Sequence, residues 1–188
     1  MTKKEARFLY KEKRLSFSAE QRDKMEDLML IKFQNLHLSV PELIMTYVSN
    51  DKLVEYDPAL IERFSFFKNP LAEFAFPKID DEDLHAILVN ERTTFIANKF
   101  EIEEPVEGIP INPGKIGMAF VPLLVFDERG FWVGYGKGFY DKFLSKANDT
   151  IQKIACSFFG AEKKIEDINA FDMARDICIT PFKTYQFN

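Results

Sequence analysis

Short strand-like apolar runs alternate with helical patterns along most of this chain, and that alternation leaves few architectures open. Residues 43–48, 73–76, 84–89, 93–96, 116–121, 154–158 and 176–179 read as strands. Between them, residues 58–67 read as a helix opened by Asp57-Pro58, and 137–146 as a second, short one. Two further helices fill the first 36 residues. Ala6, Leu9 and Tyr10 recur at helical spacing in the first; Met25, Leu28, Met29 and Phe33 supply a stripe for the second. Ser18-Ala19-Glu20-Gln21 has the form of a capping box at the start of that second helix. The pattern predicts an α/β sandwich with a mostly parallel sheet. At 188 residues, without repeats or a dividing linker, it predicts one domain over 1–188.

The side-chain inventory narrows the function classes. With 46% apolar residues, 20 of them Phe, disorder is excluded. A net charge of -5 argues against a dedicated nucleic-acid binder, but leaves room for a local anion site. No run is long enough to span a bilayer, since the longest, 118–126, contains Pro122. The charged N-terminus has no signal-peptide core, so a cytoplasmic setting is expected, with Cys156 and Cys178 as reduced core residues. A monomer is the default, as no heptad pattern appears.

The stretch 122–141 carries the chemistry. Gly134, Gly136 and Gly138 alternate between a strand-like segment and a helix, a spacing that lets successive N–H groups face one anion. Lys137 adds a positive charge there, and Asp141 could hold a divalent cation against the same phosphates. Neither the Walker spacing nor GxGxxG is present. Alternating glycines also mark tight turns beside a packed surface; the flanking Lys, aromatics and Asp favour the anion site.

Lys3, Arg7 and Lys11 are spaced i, i+4, i+8, with Arg14 on much the same face. The simpler account is a solvated helix face, the functional one a phosphate clamp. His37 and His85 are isolated and read as structural or surface residues. Glu103-Glu104 reads as a solvated loop pair, and Asp172 and Asp176 as candidates for helix caps. No Ser-His-Asp or Cys-His set suggests itself, so any catalysis falls to the glycine loop and its charges.

These residues resemble the 5-formyltetrahydrofolate cyclo-ligases (methenyltetrahydrofolate synthetases). That family's hallmark runs Pro-Gly-x-x-Phe-Asp-x-x-Gly-x-Arg-Leu-Gly-x-Gly-x-Gly-Tyr-Tyr-Asp. Here it reads Pro122 through Phe126-Asp127 and Gly130 to Gly134-Tyr135-Gly136-Lys137-Gly138-Phe139-Tyr140-Asp141. Weaker agreements lie at Lys3 and Arg7, Glu55-Tyr56-Asp57, Phe76-Pro77-Lys78, Ile102-Glu103-Glu104-Pro105, and Asp172 with Asp176 and Thr180.

The resemblance implies a three-layer α/β/α sandwich similar to the ribose-5-phosphate isomerase and CoA-transferase group. It implies ATP- and Mg²⁺-dependent closure of 5-formyltetrahydrofolate to 5,10-methenyltetrahydrofolate, releasing ADP and phosphate. By matching position, Lys3, Arg7, Gly134, Tyr135, Gly136, Lys137, Gly138 and Asp141 are expected to bind ATP, with Lys137 and Arg7 catalytic. Asp141 and Asp172 are expected to hold Mg²⁺, and Glu55, Phe139 and Tyr140 to bind the folate. Trp132 stands where the family has its loop Arg, which leaves one phosphate contact absent or supplied by Arg129 or Arg14. Leu123, Phe171 and the Gly160-Ala161 pair are further departures. An alternative is a catalytically impaired relative acting as a nucleotide- or folate-binding module; another small ATP-using ligase or kinase on the same fold is a third reading.

Overall fold

The structure, a computed structural model, describes residues 1–81, 83–170, 172–174 and 176–187. Two helices come first, α1 (Lys3–Leu15) and α2 (Ala19–Asn35). Both open on capping boxes. In the one read from sequence, Gln21 N donates to Ser18 Oγ at 3.2 Å and Ser18 N to Gln21 Oε1 at 2.9 Å. The other joins Thr2 and Glu5. Each box satisfies N–H groups that the first helical turn cannot.

The remaining elements are β1 (Leu43–Met45), α3 (Ala59–Lys68), β2 (Glu73–Asp80), β3 (Asp83–Leu88), β4 (Phe95–Ala97), β5 (Glu103–Pro105), β6 (Ile109–Ile111), β7 (Met118–Phe120), β8 (Val125–Phe126), β9 (Trp132–Val133), α4 (Phe139–Leu144), β10 (Gln152–Cys156), β11 (Ile177–Ile179) and β12 (Thr184–Gln186). Among the described residues, eight strands form one sheet in the order β12-β11-β10-β7-β1-β2-β3-β6. The five from β11 to β2 run parallel, and the outer strands β12, β3 and β6 are antiparallel to their neighbours. The α/β sandwich with a mostly parallel sheet is therefore present, and the antiparallel edges are its addition.

Strand alternation divides the core into two unlike faces. Ile44, Met118, Phe120, Ile154 and Ile179 point to the side covered by Met29 and Phe33 of α2 and Ile61 of α3. Their neighbours Ala75, Ala119, Ala155 and Cys178 point the other way, with Met45. Small residues on that face let Phe126, Trp132, Phe143 and Leu144, from the β8–β9 hairpin and α4, lie close against the sheet. Truncating Phe120, which is 2% exposed, to Ala would cost about 3–5 kcal/mol. Cys156 and Cys178 are buried free thiols, as expected.

This strand order places a ligand site. From β1 the chain builds toward β2 on one side and returns through β7 to build the other, so β1 and β7 flank a topological switch point. Open parallel sheets leave a crevice at the carboxyl ends of the strands on either side of such a point.

Candidate active site

A cavity of about 600 Å³ occupies that crevice. Tyr47 and Val48 follow β1, Pro77 and Ile79 come from the second half of β2, and Pro122 follows β7; all five line it. Lys3, Arg7 and Lys11 line it from α1. The solvated-face reading of that helix is thereby corrected: Lys3, Arg7 and Lys11 are half-buried and Arg14 fully buried, because the basic stripe is the stripe α1 turns inward.

The glycine loop forms another wall. Asp127 sets it up from outside the cavity. Fully buried, it accepts from Arg129 N at 3.0 Å, Phe131 N at 3.2 Å and Ile165 N at 3.0 Å, and Arg129 Nη2 pairs with it at 2.6 Å. That network fixes the turn between β8 and β9, from which the chain runs straight into Gly134. Gly136 (φ +91°) then passes against Arg7. A Cβ built there would stand 2.9 Å from the Arg7 Cζ, and Arg7 Nε donates to Gly134 O at 2.9 Å. Gly138 (φ +72°) caps α4, which starts at Phe139 rather than at 137, since Gly138 is left-handed and cannot continue a helix backwards.

Every residue expected at the site from sequence lines this one cavity: Lys3, Arg7, Glu55, Gly134, Tyr135, Gly136, Lys137, Gly138, Phe139, Tyr140, Asp141 and Asp172. Lys3 Nζ pairs with Asp172 Oδ2 at 2.5 Å. Trp132 Nε1 donates to Asp141 Oδ1 at 3.2 Å, and Met173 N approaches the same oxygen at 3.4 Å. Lys137 Nζ stands 5.3 Å over the Phe100 ring, which in turn meets Phe139 at 6.3 Å. Glu55 is buried; its Oε1 accepts from the Tyr135 hydroxyl and its Oε2 from Asn50 N at 2.8 Å. Burial, and then the Glu55 charge, push the Tyr135 phenol well above its usual range. The cavity thus brings cations, aromatic rings and buried acceptors together. Among the described residues its lining includes no Cys, His or Ser.

Comparison with known proteins agrees with this geometry. The family model described as the 5-formyltetrahydrofolate cyclo-ligase family matches residues 2–168. The chain belongs to this family. A Mycoplasma genitalium 5-formyltetrahydrofolate cyclo-ligase is 40% identical over 48 residues, a match spanning 26% of this chain and 29% of that relative's length. The NMR structure of an Aquifex aeolicus 5,10-methenyltetrahydrofolate synthetase superimposes with a TM-score of 0.79 at 24% identity, covering 100% of this chain and 94% of that one. A Mycoplasma pneumoniae 5,10-methenyltetrahydrofolate synthetase gives a TM-score of 0.74 at 20% identity, covering 96% and 99%. These two likenesses establish the fold.

Within the cyclo-ligase fold, some expectations need correcting. Neither Arg129 nor Arg14 is among the cavity's lining residues, so neither supplies a phosphate contact in place of the loop Arg. Arg129 is spent on Asp127 and Ile165 O, and Arg14 on Tyr135 and Leu123 O. Trp132 itself lines the cavity and holds Asp141. Glu104 is no solvated loop residue: it sits in β5, 6% exposed, lines the cavity, and accepts from Ile79 N at 2.8 Å and Asn98 Nδ2 at 2.6 Å. Among the described residues Asp172 and Asp176 cap no helix; Asp176 instead accepts from Lys153 N at 2.7 Å. Phe171 lies outside the described residues. His37 and His85 are exposed, as expected. Residue-by-residue reading also missed Tyr47 and Phe100. Phe100 reaches the site from the 98–102 loop, where no periodicity marks it; Glu104 was marked only by the Ile-x-Glu-Pro agreement.

Proposed function

We propose that this chain catalyses ATP-dependent closure of 5-formyltetrahydrofolate to 5,10-methenyltetrahydrofolate, releasing ADP and phosphate. The observation that carries this reading is the joining, in one cavity, of the cationic glycine loop and basic helix stripe with aromatic rings and the buried acceptors Glu55 and Glu104. Family membership supports it. The chemistry is undemanding of protein nucleophiles. A γ-phosphoryl group passes to the formyl oxygen, N10 of the folate attacks the activated carbon, and phosphate leaves with loss of the N10 proton. Such a reaction needs positioning and charge neutralisation.

In this reading Lys3, Arg7, Lys137 and the backbone of residues 134–138 hold ATP phosphates. Arg7 and Lys137 neutralise charge on the transferring group. Glu55 accepts hydrogen bonds from the pterin, and Phe139 and Tyr140 line the folate. Asp141 and Asp172 would hold Mg²⁺, whose charge would offset that of the phosphate oxygens. The donor set fits that ion: two carboxylates, Asp141 and Asp172, line the one cavity, and Mg²⁺ with nucleotides commonly takes one or two carboxylates and completes its shell with phosphate and water. Two buried thiols fit a reducing, cytoplasmic setting; no described helix is long and apolar enough to cross a membrane.

The test is absorbance in the methenyl-folate band with 5-formyltetrahydrofolate and MgATP against a no-ATP control. An ATP-dependent rise, lost in Lys137→Ala and Arg7→Ala, is the expected result. The loop Trp132 favours one second reading, a module that binds nucleotide or folate without turnover. Calorimetric ATP binding with no absorbance change would establish that reading instead.

A further inference from the structure

Arg14 is 3% exposed, yet no carboxylate stands within ion-pair distance of it among the described residues. A buried guanidinium is costly unless its charge is answered. Here its partners are Leu123 O at 3.4 Å, the face of the Tyr135 ring 5.9 Å away and the Tyr135 hydroxyl, and of these the hydroxyl leads on to a carboxylate. Arg14 Nη2 donates to the Tyr135 oxygen, and the Tyr135 hydroxyl donates to Glu55 Oε1. Arginine can only donate, so its contact leaves the tyrosine proton nowhere to point but Glu55. The second carboxylate oxygen takes Asn50 N at 2.8 Å. With both oxygens held, the plane of the carboxylate is fixed, while a carboxylate's roughly four acceptor positions leave room for ligand donors.

We infer that Arg14 and Tyr135 are positioning residues that hold Glu55 as an oriented, acceptor-only group for paired N–H donors of a bound heterocycle. The inference rests on the proposed reading of Glu55 as the folate acceptor and deepens it. It also assigns the Tyr135 side chain, though not its backbone, to the folate rather than to the nucleotide. Arg14 touches no substrate; it acts through Tyr135. The ring itself has a separate contact, with Lys11 Nζ 5.3 Å above it, which a phenylalanine would keep.

The experiment is calorimetric titration of the full chain with 5-formyltetrahydrofolate and, separately, with MgATP. Tyr135→Phe is expected to weaken folate binding about tenfold and ATP binding by less than about twofold, as for loss of one hydrogen bond to a charged group. Arg14→Met is expected to show the same split. The double variant should bind folate no worse than Tyr135→Phe alone, because one residue acts through the other. A merely structural role would weaken both ligands together. Thermal melting identifies any variant that fails to fold, and Tyr135→Phe, which keeps the ring, is the decisive one if Arg14→Met does not. Undiminished folate binding by folded Tyr135→Phe, or additive losses in the double variant, would overturn the inference alone. No folate binding by the unaltered chain would overturn the reading of Glu55 beneath it.

Discussion

Lys3 Nζ lies 2.5 Å from Asp172 Oδ2, with both side chains largely buried, so a cation assigned to phosphate and a carboxylate assigned to Mg²⁺ neutralise each other in this structure. In the proposed function, MgATP binding divides that pair between its two charges. Lys3→Ala is expected to weaken ATP about tenfold with or without Mg²⁺. Asp172→Asn is expected to weaken MgATP, yet leave metal-free ATP bound at least as well as before, because Lys3 is released to phosphate. Calorimetry with and without Mg²⁺ separates the two. Equal losses in Asp172→Asn under both conditions would show that the carboxylate serves Lys3 rather than a metal.

Two loop glycines with positive φ should differ sharply when replaced. At Gly136 an added Cβ meets the Arg7 guanidinium at 2.9–3.1 Å, so Gly136→Ala combines backbone strain with displacement of Arg7, the proposed phosphate ligand. At Gly138 nothing lies within 4 Å of the added atom, leaving only the left-handed backbone strain, about 1–2 kcal/mol. Gly136→Ala is therefore expected to raise the KM for ATP tenfold or more, and Gly138→Ala to lower the melting temperature while keeping most ATP affinity. Similar KM values for the two would mean that Arg7 does not depend on Gly136.

The contrast between these glycines bears on what was legible in the sequence. Central strands such as β7 and β11 were visible because buried parallel strands are apolar throughout. The β8–β9 hairpin and β12, two or three residues long, are too short to carry a period. The expected strand from 73 stopped at 76 before Pro77, but β2 runs to Asp80: its pairing with β1 ends at Ala75, so beyond that point Pro77 owes no hydrogen bond on that side. At the site, the loop and the basic helix stripe were legible as local spacings. Which way α1 turns that stripe, and that Glu104 and Phe100 arrive from a distant hairpin, are tertiary facts that no local spacing contains.

Trp132 offers a test of how this chain manages without the loop Arg. Its indole N–H holds Asp141 Oδ1 at 3.2 Å, and its ring packs beneath Gly134, where an added Cβ would approach Cζ3 to 2.8 Å. Trp132→Phe removes the N–H and keeps an aromatic ring there. The expected outcome is a roughly fivefold rise in the KM for MgATP, the effect of about 1 kcal/mol, with little change in folate KM. An unchanged KM for MgATP in steady-state assays would show that Asp141 needs no help from Trp132.

Away from the cavity, Glu62 of α3 is half-buried and accepts the hydroxyl of Thr46, itself fully buried. Burial pushes its carboxyl up to about 7 from 4.5, against the lowering influence of that hydrogen bond. A carboxyl raised in the folded state binds its proton more tightly there than in the unfolded chain. Its contribution to stability is therefore fully present below pH 4.5 and is lost as pH rises toward 7. Glutamine mimics the neutral form at every pH. At about pH 4, below the 4.5 of the unfolded chain, where Glu62 is largely protonated in both states, Glu62→Gln should match the unaltered chain closely. By about pH 8 it should be the more stable by about 1–2 kcal/mol, each pKa unit being worth about 1.4 kcal/mol and partial exposure reducing the total. Urea unfolding at the two pH values measures the difference directly. Equal stability at about pH 8 would mean that Glu62 ionises in the folded protein as readily as it does in the unfolded chain.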